Sequence, residues 1–117
     1  MNTKSDENKK NKEEWIQKMK REGKLNRNPT QDHEAGLKAL QNPTRRQILN
    51  MLARSPMEED DIKEELKIDT MQTRFHLGML ESSLFIEKVT KDNIVVYQLS
   101  PRGEGYVENV MMENKDG

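Results

Sequence analysis

Helical periodicity, a β-branched hairpin and one more apolar helix, in that order, predict a mainly α (α+β) fold. It is a winged helix–turn–helix with a two-stranded β wing and a C-terminal helix. Cap signals at Asn42-Pro43, Ser55-Pro56 and Asp69 through Gln72 divide the middle of the chain into successive helices. Phe85–Thr90 (FIEKVT) and Ile94–Leu99 (IVVYQL) then flank the polar turn Lys91-Asp92-Asn93. A lone two-stranded hairpin is unstable in water, so it has to lie against the helices.

Each element has its own warrant. His33–Leu40 (HEAGLKAL) reads as a short helix with Leu37 and Leu40 inward. Asn42 caps the next helix and Pro43 takes its first position, where the missing N–H costs nothing. In Thr44–Arg54, Ile48, Leu49 and Leu52 share one face. Ser55-Pro56-Met57-Glu58 has the letters of a capping box, which opens a helix over Met57–Leu66 anchored by Ile62 and Leu66. Asp69 and Gln72 form a second such box, and the helix they open runs to about Ser83. Thr73, Leu77, Leu80 and Leu84 follow steps of four, three and four along its core face. Ser100-Pro101 starts a last helix carrying Tyr106, Val107, Val110 and Met111.

Composition limits what else is present. The 117 residues suffice for one domain. Charged residues make up 35% of them and the mean hydropathy is −1.08, so a compact domain has to carry a polar segment. Residues 1–30 hold nine bases and five acids, a balance of +4, and the remainder carries −5. We expect residues 1–31 to be a flexible basic arm, 32–113 the winged domain and 114–117 a tail. Within the arm, Trp15, Ile16 and Met19 share a face that permits a short helix over 12–22, stopped by Gly23. A basic arm serves either as a nucleic-acid contact or as a solvating tail.

Several motifs together resemble one family. Ala39-Leu40-Gln41-Asn42-Pro43-Thr44-Arg45-Arg46-Gln47-Ile48-Leu49 resembles the opening of the ArsR-like winged helix–turn–helix transcription regulators. Ile62-Lys63-Glu64-Glu65-Leu66, His76-Leu77 with Leu80, Phe85-Ile86-Glu87, and Tyr97 through Pro101 with Gly103 are similar to its later segments in the same order. Asp69 stands where the family usually has a capping Ser, Leu84 where it has Gly before the wing, and Phe75 where polar or basic residues are usual. The chain has no Cys and two His, which departs from the family's thiolate-type metal sensors.

The resemblance implies a dimeric, cytoplasmic DNA-binding transcription regulator that binds double-stranded DNA. The helix from about residue 70 to 83 would enter the major groove, with the wing at 85–99 on the backbone. Thr70, Gln72, Thr73 and Arg74 are its base-reading candidates, since Gln suits adenine and Arg suits guanine. Lys88 and Lys91 of the wing, with Arg45 and Arg46 in the first turn of their helix, are phosphate candidates. The family's dimer seam implies a homodimer through helices near 33–40 and 101–112.

A different reading also fits. Six acids between Glu58 and Glu65 repel phosphate. Met71, Phe75 and Met79 would then form an apolar patch on a winged-helix protein–protein interaction module. His76, beside Leu77, reads as a hydrogen-bonded structural histidine. No catalytic triad, phosphate loop or pocketed carboxylate pair is present in the sequence, so no enzyme, cofactor or metal is expected. No apolar run suits a membrane span or a secretory leader.

Overall fold

The computed structural model describes residues 3–24 and 28–115, with side chains described over 11–24 and 28–110. The order is α1 (Thr3–Arg21), α2 (Pro29–Leu40), α3 (Pro43–Arg54), α4 (Glu59–Leu66), α5 (Thr70–Ser82), β1 (Ile86–Lys91), β2 (Ile94–Leu99) and α6 (Pro101–Lys115). Last residues 116–117 of the expected tail lie outside the described residues.

The core is the one the helical spacing predicts. Ile48, Leu49, Met51 and Leu52 of α3 meet Ile62 of α4, Leu77 and Leu80 of α5, and Phe85, Ile86 and Tyr97 of the wing. Burying each such side chain contributes about 1.5–3 kcal/mol. Tyr106 and Val107 of α6 pack on this cluster from outside. Leu40 packs on the same core, but Leu37, also expected inward, is 50% exposed.

The wing is an antiparallel pair in register from Ile86↔Leu99 to Lys91↔Ile94. Its turn is tighter than expected. Lys91 is already in the strand, and Asp92 and Asn93 both hold positive φ (53° and 68°). That is the signature of a type I′ turn, whose twist matches the flanking strands.

Three boundaries differ from the sequence expectation. Asn28, read as the end of the arm, caps α2: its Oδ1 accepts from the Gln31 amide at 2.8 Å, and Pro29 opens the helix. The grammar is that of Asn42-Pro43, where Asn42 Oδ1 accepts from Thr44 N at 2.8 Å. The capping box at Ser55 does not form. Ser55 ends α3, and Met57 pairs with Tyr97 through backbone bonds of 3.0 and 2.7 Å. Sheet pairing of an apolar residue outcompetes a helical start there. The helix then begins at Glu59 with no side-chain cap, and Glu59, Asp60 and Asp61 face its positive N-terminal end instead.

The third difference concerns the arm. A 19-residue helix stands where a short one over 12–22 was expected. Its Trp15 and Met19 are buried with Leu84, and Ile16 packs beside them. Leu84, expected on the α5 core face, thus belongs to a second cluster under α1. The indole Nε1 of Trp15 donates to Glu87 Oε1 at 2.8 Å, tying α1 to β1. Residues 1–2 and 25–27 of the expected arm lie outside the described residues.

Candidate nucleic-acid interface

The site is built on α5, which follows α4 after the three-residue turn Lys67-Ile68-Asp69. Lys67 takes φ 57°, and its amide bonds back to Lys63 O and Glu64 O at 2.9 and 3.3 Å. This closes α4 without glycine and aims the chain into the next cap. The box at Asp69 forms as the sequence indicates. Asp69 Oδ1 accepts from Gln72 N at 2.7 Å, and Asp69 N donates to Gln72 Oε1 at 3.4 Å.

Of the base-reading candidates, Gln72 and Arg74 are exposed and Thr70 is half-buried. Thr73 is different. It is 0% exposed, and its hydroxyl donates to Asp69 O at 2.8 Å. The core stripe that begins at Thr73 already predicted burial, so it is removed from the reading set. Arg74 is restrained: its Nε donates to both carboxylate oxygens of Glu59 at 3.2 and 3.3 Å. That hydrogen bond and the Glu59 charge hold its guanidinium pKa above the ordinary value. Sequence reasoning missed this partner because it lies on a different helix.

The outer face of α5 is otherwise apolar. Met71 is 80% exposed and Phe75 is 59% exposed. Their ring neighbours are internal: Phe75 meets the His76 ring edge-on at 5.5 Å between centroids, and the Arg45 guanidinium lies 5.9 Å from its centroid.

Arg45 and Arg46, expected at phosphates, bond to the end of α2. Arg45 is 6% exposed. Its Nε donates to Ala39 O at 2.7 Å and its Nη2 to Lys38 O at 3.1 Å. Arg46 Nη1 donates to Leu40 O at 2.7 Å. Both guanidiniums therefore satisfy the bare carbonyls at the end of α2, where cations are favoured. Basic residues in a helical first turn looked misplaced because their partner is the preceding helix end. Arg45 Nη1 also lies 3.1 Å from His76 Nδ1. Burial first, then the Arg45 charge, lowers the His76 pKa, so the neutral ring accepts this bond. The structural-histidine expectation fits that geometry.

In the wing, Lys88 and Lys91 are exposed. Lys88 Nζ sits 5.6 Å from the Tyr97 ring centroid, and Lys91 stands beside the turn. Among the described residues no group of three or more His, Asp or Glu is placed to hold a metal ion. No helix among them is long and apolar enough to cross a membrane.

Comparison with known proteins agrees with this architecture. Residues 42–88 match the family of bacterial regulatory proteins of the arsR type. HlyU from Vibrio cholerae superposes with a TM-score of 0.61 at 23% identity, over 69% of this chain and 89% of that one. HlyU from Vibrio vulnificus, a transcriptional regulator, gives 0.59 at 18% identity over 83% and 95%. The third is the homodimeric winged helix-turn-helix DNA-binding domain of Mb0332 from Mycobacterium bovis, described as a possible ArsR-family transcriptional regulator. It gives 0.61 at 22% identity over 74% and 84%. No curated protein sequence matches the chain. The fold is a winged helix–turn–helix of the kind found in these regulators.

Proposed function

We propose, from the premise that residues 42–88 form an arsR-type winged helix, that this protein is a dimeric DNA-binding transcription regulator of the cytoplasm. One observation carries the reading: the first half of α5 projects Thr70, Met71, Gln72, Arg74 and Phe75 from a rigidly capped start, with the wing beside it. In helix–turn–helix proteins that part of the second helix meets base edges. Gln72 pairs with adenine and Arg74 with guanine once they leave Asp69 and Glu59, while Met71 or Phe75 covers a thymine methyl. Lys88 and Lys91 contact the backbone. Two such helices read half-sites roughly 34 Å apart. The proposed seam uses α2 and α6, and the exposed Leu37 supports the α2 half of it.

The test is selection from a randomised duplex pool, followed by affinity measurements on the enriched sequence. Gln72→Ala and Arg74→Ala each weaken that complex about ten- to a hundredfold. Wild-type affinity in both variants would remove α5 from the groove. The exposure of Met71 and Phe75 favours a second reading, a protein-docking face. That reading predicts no enriched duplex, together with a partner pull-down that Phe75→Ala abolishes.

A further inference from the structure

The first helix of a helix–turn–helix ordinarily crosses the DNA backbone. Here α4 is a poor surface for that. Asp60, Asp61, Glu64 and Glu65 are exposed on it. Two of the nearby cations are held by carboxylates, Arg54 by Glu65 at 2.9 Å and Arg74 by Glu59 at 3.2 Å, which leaves Lys63 and Lys67 against the acids of α4. Phosphate neutralisation supplies much of the affinity of a DNA-binding protein, so cations on another flank have to provide it.

A different flank carries exposed cations in one place. The last turn of α1 holds Lys18, Lys20 and Arg21, with Lys24 after it, and all four are exposed. The helix is fixed beside the wing by the buried Trp15, Met19 and Leu84 and by the Trp15–Glu87 bond. Lys18, Lys24 and Lys88 border a cleft of about 430 Å³ between α1 and β1, and Lys18 and Arg21 border the adjoining one. Carboxylates border the same clefts, Glu81 and Glu87 the first and Glu14, Glu87 and Glu104 the second. Glu87 accepts from Trp15, and Lys24 pairs with Glu22 at 3.4 Å, an exposed and therefore weak contact that a phosphate can replace.

We infer that this flank is a second phosphate-contacting surface, in which Lys18 and Arg21 of α1 and Lys24 just after it join Lys88 of the wing on the backbone of a bound duplex. The inference rests on the DNA-binding reading above. It adds sequence-independent affinity at a place the recognition helix does not touch. It also gives α1 a use beyond covering Leu84: the helix and the turn after it bring Lys18 and Lys24 to the cleft that Lys88 borders. Trp15 is the only tryptophan in the chain, so this flank has its own optical reporter.

The experiment uses the full chain and a labelled mixed-sequence duplex, with anisotropy read over a series of salt concentrations. The variant is the triple Lys18→Gln/Arg21→Gln/Lys24→Gln, all at exposed positions, with circular dichroism confirming its fold. The slope of log affinity against log salt should become shallower by about 0.9 per cation removed. Trp15 emission should shift in the wild type at saturation. A triple variant that binds with the wild-type slope overturns the inference and leaves the DNA reading standing. A wild type that binds no duplex at low salt overturns both.

Discussion

Lys67 and Leu84 hold nearly the same backbone conformation, φ 57° and 66°, at the ends of α4 and α5. Left-handed backbone costs an L-residue about 1–2 kcal/mol. Both close their helix in the same way. After α5, Leu84 N donates to Glu81 O at 2.9 Å and Phe85 N to Leu80 O at 3.0 Å. The two side chains differ in what they gain. Lys67 is exposed and gains nothing from its conformation. Leu84 is buried against Trp15 and Met19, which offsets the strain. Lys67→Gly should therefore raise stability by about 0.5 kcal/mol, after the added freedom of the unfolded chain is subtracted. Leu84→Gly should lower it by about 1 kcal/mol, as lost burial outweighs relieved strain. Urea unfolding of the two variants measures both signs. The departure from Gly at position 84 was visible in the sequence, but its reason was not, because α1 lies far away along the chain. Gly103 shows the opposite case. A Cβ there would run into the carbonyl oxygen of Phe85, so the small residue at the β2–α6 junction is required by contact.

Among the elements, α2, α3 and α5 are joined through one polar contact. Arg45 of α3 caps α2 and donates towards His76 of α5. Protonating His76 would set two cations 3.1 Å apart. Its folded pKa is depressed below the ordinary 6.5, so the contribution is complete above about 6.5 and is lost as pH falls through the folded value. The urea midpoint should fall between pH 7 and 5.5 in the wild type. It should be flatter with pH in His76→Gln, where no ring titrates; equal pH dependence in the two proteins would contradict the coupling. The elements themselves were legible wherever apolar spacing and caps agreed, as in α3, α5 and both strands. They were misread where tertiary partners decided the outcome. Met57 was taken by Tyr97, and the polar α1 was ordered through a few side chains that reach the wing. A helix with so polar a sequence is marginal alone, so its length cannot be read from the arm itself.

At the scale of the molecule, the largest run of exposed acids and the cluster of exposed cations fall on different elements, α4 and the end of α1. The acidic face of α4 adjoins α5, while α1 and the wing bring cations together. The sequence showed the sign split between arm and body. It did not show that the arm folds back beside the wing, since that depends on the Trp15–Glu87 contact between residues 72 apart. Of the candidate residues, Gln72 and Arg74 are exposed on α5 as the apolar spacing implied, whereas Thr73 is core and Arg45 and Arg46 cap α2. The central claim is that this winged helix binds duplex DNA through α5 and the wing. The most direct test is anisotropy of a labelled mixed-sequence duplex titrated with the purified full chain from low to physiological salt. Binding at low salt is expected to weaken steeply as salt rises, with a log–log slope of about −0.9 for each phosphate contacted. Absence of binding at the lowest salt would contradict it and leave the exposed Met71–Phe75 face to a protein partner.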